Sequence, residues 1–181
     1  LRDANWTPAD SHIAAIDRIA PTLRTLRHAD GALARFHGGG RGIDGRLDHA
    51  LIESGNRNMH VDGLATGYAR IAAGRTSIVI DAALPPQGRA SVNAHASTLA
   101  FEATSGRRPL IVNCGSGETF GAQWRSAGRA TPSHSTLYIE GSSSARLGRR
   151  LSYWGVEREV LIDGPTHVPI EMTHDPELIR F

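Results

Sequence analysis

Apolar positions near the start of the chain recur at helical spacing. Ile13, Ile16, Ile19, Leu23 and Leu26 follow one another at steps of three or four residues, which sets them on one face of a helix. Thr7 suits an N-cap and Pro8 the first helical position, where a missing N–H would have had no partner anyway. Pro21 falls inside the pattern and is expected to kink or split the helix, because it removes a donor and crowds the preceding turn. Arg24, Arg27 and His28 gather at the C-terminal end, where positive charge complements the helix dipole.

Past Asp30-Gly31 the period shortens. Short apolar or alternating runs at 32–36, 68–72, 77–81, 98–103, 110–112, 136–139, 151–154, 159–162, 167–170 and 178–181 are separated by Gly, Ser, Pro and Asn. The runs at 68–72 and 77–81 flank Ala73-Gly74-Arg75-Thr76, the signature of a hairpin with a glycine-containing loop. Such a series predicts a mainly β fold, an antiparallel β-sandwich preceded by one or two short helices. No helical pattern separates the strands, as a doubly wound sheet would require, and no internal repeat is present. Residues 38–62, rich in Gly, Asp, His and Asn, read as a long surface loop.

Composition narrows the function classes. With 181 residues and 40% hydrophobic content, the chain can bury a core without disulfides. Its basic residues are all Arg, and 20 of them against 18 acids leave a formal charge of +2. Only Arg107-Arg108 and Arg149-Arg150 are adjacent, so no basic face for nucleic acid is expected. No apolar run reaches the roughly 20 residues of a membrane-spanning helix. Cys114 is the single cysteine, which excludes an internal disulfide. The chain lacks an initiator Met and a signal peptide, and it stops in a strand-like run, Glu177-Leu178-Ile179-Arg180-Phe181; the expectation is an excised piece of a longer protein.

Familiar catalytic signatures are absent: no Gly-x-Ser-x-Gly, no phosphate loop, no His-Glu-x-x-His. What stands out is imidazoles and amides at predicted strand ends: Asn93-Ala94-His95, Asn113-Cys114-Gly115 and Ser133-His134-Ser135. Two imidazoles and an oxygen can hold zinc, and the same residues can equally be locally hydrogen-bonded side chains. Asn113 would be a poorer ligand than Asp, since a neutral amide offers the cation no charge. Trp124, Arg125 and Arg129 could meet sugar by ring stacking and charge, or simply anchor a surface loop. Tyr68 has a phenol suited to proton transfer but reads first as a core or rim strand residue, and Cys114 as a buried small residue. The glycines at 38–40, with no Lys after them, read as a flexible loop.

The ordered set 93–102, Gly106, 110–115, Arg125 and 129–136, with Thr66-Gly67-Tyr68 upstream, resembles the C-terminal domain of the heparinase II/III-like family. The resemblance covers roughly residues 12–162 and implies a β-sandwich at 31–181, with residues 1–30 left over from an upstream α/α toroid. It implies a polysaccharide lyase of the bacterial cell envelope or periplasm. Such an enzyme cleaves uronate-containing polysaccharide by β-elimination: a base takes the C5 proton and an acid protonates the leaving oxygen. By the same resemblance His95 and His134 match zinc ligands and Asn113 stands where a ligand Asp is usual. Asn93 stands where a catalytic His is usual, and an amide is no base at neutral pH. The implied partners are an anionic polysaccharide and the chain's own toroid, so the fragment alone is expected to be inactive. The competing expectation is a non-catalytic module that binds glycan or supports the toroid.

Overall fold

A computed structural model describes residues 7–58, 63–153 and 156–162. In chain order it contains α1 (Asp10–Leu26), α2 (Arg46–Glu53), β1 (Tyr68–Ala73), β2 (Thr76–Asp81), β3 (Phe101–Ser105), β4 (Arg108–Ile111), α3 (Ala122–Gly128), β5 (Arg146–Tyr153) and β6 (Val156–Ile162). Single 3-10 turns at Phe36–Gly38, Gly88–Ser91, Glu118–Phe120 and Thr131–Ser133 punctuate the connections.

The expected helix is present but begins at Asp10, with an extended Ala9 and no side-chain cap, rather than at Thr7-Pro8. It runs unbroken through Pro21. Pro21 and Ala20 are its buried residues, while Ile13 and Ile19 remain 44% and 55% exposed. Packing of the proline side chain thus sits where a kink was expected, and the apolar stripe is only partly covered by the described residues.

The strands form two antiparallel sheets, one of four strands in the order β1-β2-β3-β4 and one of the pair β5-β6. This is the mainly β, antiparallel architecture the short alternating runs predict. Gly74, at positive φ, turns β1 into β2, with Ile71 opposite Ile78. Val79 on β2 faces Glu102 on β3 in register, and a shift between Ala103 and Thr104 bends β3 against β4. Ala34, Phe36, Val79 and Ala100 form one core cluster, with Leu26 and Tyr68 packed on it. Ala94, Ala96, Ala145 and Leu161 form a second, beside Leu147. The site described below lies on the segments that cap these two clusters.

Several expectations change. The run at 32–36 is no strand: Leu33 makes one bridge to Arg27 and Phe36 opens a 3-10 turn. Strand β3 starts at Phe101 rather than 98, because Leu99 adopts a left-handed conformation incompatible with a strand. At 136–139 there is no strand: Tyr138 and Ile139 sit in isolated bridges, that of Ile139 to Ser142, while the Thr136 hydroxyl donates to the Thr98 carbonyl. The presumed loop 38–62 contains α2, which buries no residue and so shows no core-facing stripe. The runs at 167–170 and 178–181 lie outside the described residues. No helix among the described residues is long and apolar enough to cross a membrane.

Candidate functional site

Three segments distant in sequence converge beside the sheets: 36–39, 91–97 and 113–135. The segment 91–97 is pinned by buried Arg129, which is 1% exposed. Its guanidinium donates to the carbonyls of Ala94 at 2.8 Å, Ser91 at 2.7 Å and Glu159 at 2.9 Å. Two of these carbonyls belong to the segment 91–94 and the third to strand β6, and one planar fork ties the segment to the strand. Burial, then the neighbouring Arg125 charge, lowers the Arg129 pKa to about 10. The Thr131 hydroxyl completes the anchoring by donating to the Ala96 carbonyl at 2.7 Å.

His95, 2% exposed, sits on this scaffold. Its Nδ1 lies 3.0 Å from His134 Nε2, and the two rings meet edge to face. His134 Nδ1 donates to the Ala130 carbonyl at 2.9 Å. On the other side the His95 backbone N–H donates to His37 Nδ1 at 3.1 Å. His37 Nε2 lies 3.0 Å from buried Asp81, which also accepts the Ser97 hydroxyl at 3.0 Å. Burial, reinforced by His134 and His37, pushes the His95 pKa down to about 3, and burial likewise lowers His134. Both rings are therefore neutral at pH 7.

A cavity of about 250 Å³ opens here, lined among others by His37, Gly38, Asn93, His95, Glu118 and Arg125. Arg125 donates to the Val92 carbonyl at 3.0 Å and to Asn93 Oδ1 at 3.3 Å, with Glu118 3.9 Å away. Trp124 stands outside, 64% exposed, edge-on to Phe120 at 6.5 Å between ring centroids. Tyr68 is elsewhere. It stacks on Phe36 at 5.3 Å and lines a separate cleft of about 1240 Å³ with Arg24 and Arg70. Burial, then the Asp81 charge, raises its phenol to about 12. Cys114 is exposed rather than buried, its Sγ 3.3 Å from the Gly115 carbonyl.

The fold thus brings His95, His134, Asn93, Arg125 and Arg129 together and leaves Tyr68 apart. Asn113 is buried nearby, but its amide stitches backbone: Oδ1 accepts the Ser135 N–H at 3.1 Å and Nδ2 donates to the Phe101 carbonyl at 3.5 Å. Among the described residues no group of three His, Cys, Asp or Glu side chains is arranged to hold a metal ion. Two imidazoles hydrogen-bonded to each other, with a neutral amide committed to backbone, do not fit zinc. Sequence reasoning missed His37 and Asp81. No local pattern announces them: His37 takes a left-handed backbone (φ 49°), and Gly38 follows it at φ 75°.

A model of the family described as Heparinase II/III-like, C-terminal, matches residues 56–175. The chain is similar to FtsZ-localized protein C of Caulobacter vibrioides (strain NA1000 / CB15N), at 31% identity over 174 residues, which is 89% of this chain and 30% of that protein. The chain therefore spans less than a third of that relative's length. No solved structure matches.

Proposed function

From the premise that the chain belongs to the heparinase II/III-like family through its C-terminal domain, we propose that it forms a saccharide-contacting wall of a protein built like a polysaccharide lyase. The supporting observation is the cavity. It is assembled from distant segments and offers a guanidinium (Arg125), an amide (Asn93) and a neutral imidazole (His95) within one small space. These groups suit a uronate: the guanidinium takes the carboxylate, and the amide and imidazole take hydroxyls.

Elimination needs more than this wall supplies. The base must capture the C5 proton and the acid must release one near neutral pH. Asn93 is no base, His95 is held neutral by burial with a pKa of about 3, and the Tyr68 phenol is raised to about 12 within the core. In this reading the base and acid come from an upstream α/α toroid whose last helix is α1, and the parent works in the bacterial cell envelope or periplasm. The second reading, a module that holds glycan without chemistry, is favoured by Asn93 itself. Zinc supplies no step in either reading.

The test is titration of the purified chain with uronate oligosaccharides by calorimetry, alongside ultraviolet detection of unsaturated uronate. Binding without product is the expected result. No measurable binding to any acidic oligosaccharide would overturn the proposal, and rapid product formation would overturn the assignment of the base and acid to another part of the protein.

A further inference from the structure

The hydrogen bonds around His95 fix the positions of protons as well as rings. A carbonyl oxygen can only accept, so His134 Nδ1 carries the hydrogen of its 2.9 Å contact with Ala130. In the neutral ring Nε2 is then a lone pair. The hydrogen between the two rings, across 3.0 Å, must therefore come from His95 Nδ1. By elimination His95 Nε2 is left as an acceptor.

His37 is fixed by the same logic. It accepts the His95 backbone N–H on Nδ1, so its hydrogen sits on Nε2 and is directed at Asp81. Both chains of hydrogen bonds end on fixed protein acceptors, the Ala130 carbonyl and the Asp81 carboxylate.

The remaining nitrogen lies beside Gly38, whose missing side chain keeps it from being covered. A β-carbon at Gly38 would lie 2.7 Å from His95 Nε2, closer than real contacts allow. Gly38 and His95 both line the cavity shared with Arg125. At about 250 Å³ it falls below the usual range of roughly 300–1,000 Å³ for small-molecule pockets, and so suits one saccharide unit rather than a chain. Asn113, the third residue expected at a zinc site, is instead part of the backbone stitching.

We propose that His95 and His134 work as a metal-free imidazole pair that presents His95 Nε2 as the acceptor for a hydroxyl of a uronate whose carboxylate meets Arg125. The ligand half rests on the saccharide-binding reading above; the imidazole pair does not. The pair replaces a metal as the device that orients the ring, with the Ala130 carbonyl setting the tautomer.

Long-range ¹H–¹⁵N correlation of histidine side chains in the purified protein tests both halves, with signals assigned through His134→Gln. The expected result is an Nδ1–H tautomer for His95 and for His134, unchanged by a chelator or by one equivalent of zinc sulfate. Glucuronate is expected to shift His95 Nε2, glucose to shift it far less, and Gly38→Ala to abolish the shift. Because Gly38→Ala also strains the backbone, the wild-type tautomers and the glucuronate shift carry the decision without it. An Nε2–H tautomer at His95, or uptake of one zinc with loss of the His95 Nδ1 hydrogen, overturns the pair whatever the glycan does. Glucuronate binding that leaves His95 Nε2 unmoved overturns the acceptor role. Absence of glucuronate binding, with the tautomers as stated, overturns the ligand half together with the reading on which it rests.

Discussion

Glu102 on β3 and His28, two residues past the end of α1, meet at 2.8 Å with both side chains almost wholly buried. The same carboxylate accepts the backbone N–H of Arg35 at 3.0 Å and of Asn113 at 2.9 Å. One buried anion thus joins the helix end, the segment leading to His37 and the end of β4. Burial alone would raise its pKa, but the hydrogen bonds from His28, Asn113 and Arg35 outweigh that and lower it. Glu102→Gln turns an amide N–H₂ toward donors, and is expected to destabilise the protein by about 3 kcal/mol in urea unfolding. Because the folded pKa is depressed, the contribution is complete above the unfolded value of about 4.3 and fades as pH falls through the lower folded value. The acid arm of the wild-type stability profile should therefore be steeper than that of Glu102→Gln. Parallel arms would show that the carboxylate titrates alike in the folded and unfolded chain, so that its hydrogen bonds do not favour the ionised form.

Arg129 should behave as a fold residue. Its three carbonyl partners need a fork, and a lysine can serve at most part of that geometry. Arg129→Lys is expected to cost about 2–4 kcal/mol of stability, the worth of leaving buried carbonyls unpaired. The discriminating comparison is unfolding against uronate affinity in the same variant. Unchanged stability with lost affinity would make Arg129 a ligand contact instead.

Two glycines at positive φ separate strain from collision. Gly74 turns β1 into β2 with open space around it, so Gly74→Ala should cost about 1–2 kcal/mol from backbone strain alone. Gly67, at φ 91°, would drive a β-carbon to 2.4 Å from the Ala83 β-carbon. Gly67→Ala adds that collision to the strain and should cost about 3 kcal/mol or more. Equal midpoints of unfolding for the two variants would mean that the Ala83 segment yields freely.

These relationships show which parts of the molecule were legible in sequence. The pairing of β1 with β2 was readable because period-two alternation meets a glycine turn, and both signals are local. So was the grouping of His95 with His134 at strand ends, whereas Arg125 was legible only as a separate sugar contact beside Trp124 and Arg129. His37 was not legible, because its role comes from a left-handed backbone and from Asp81, 44 residues away. Glu102 carries no local signal of its role, since its partners lie 74, 67 and 11 residues off. Helices α2 and α3 escaped for a different reason. Gly128 is the one buried residue between them, so neither carries a core-facing stripe to read.

Trp124 and Phe120 expose 64% and 76% of their surface while touching each other edge to face. Large aromatic groups left in water beside a polar cavity suit the apolar face of a pyranose ring. Trp124→Ala should change stability by less than about 0.5 kcal/mol, as for other surface substitutions. Affinity for uronate oligosaccharides should fall about threefold to tenfold, the worth of one exposed ring contact, with Trp124→Phe retaining most of it. Free glucuronate, small enough to reach the cavity alone, should bind both variants as it binds the wild type. A Trp124→Ala variant that loses free glucuronate equally would show that the indole shapes the cavity itself; undiminished oligosaccharide affinity would remove the ring from the saccharide path.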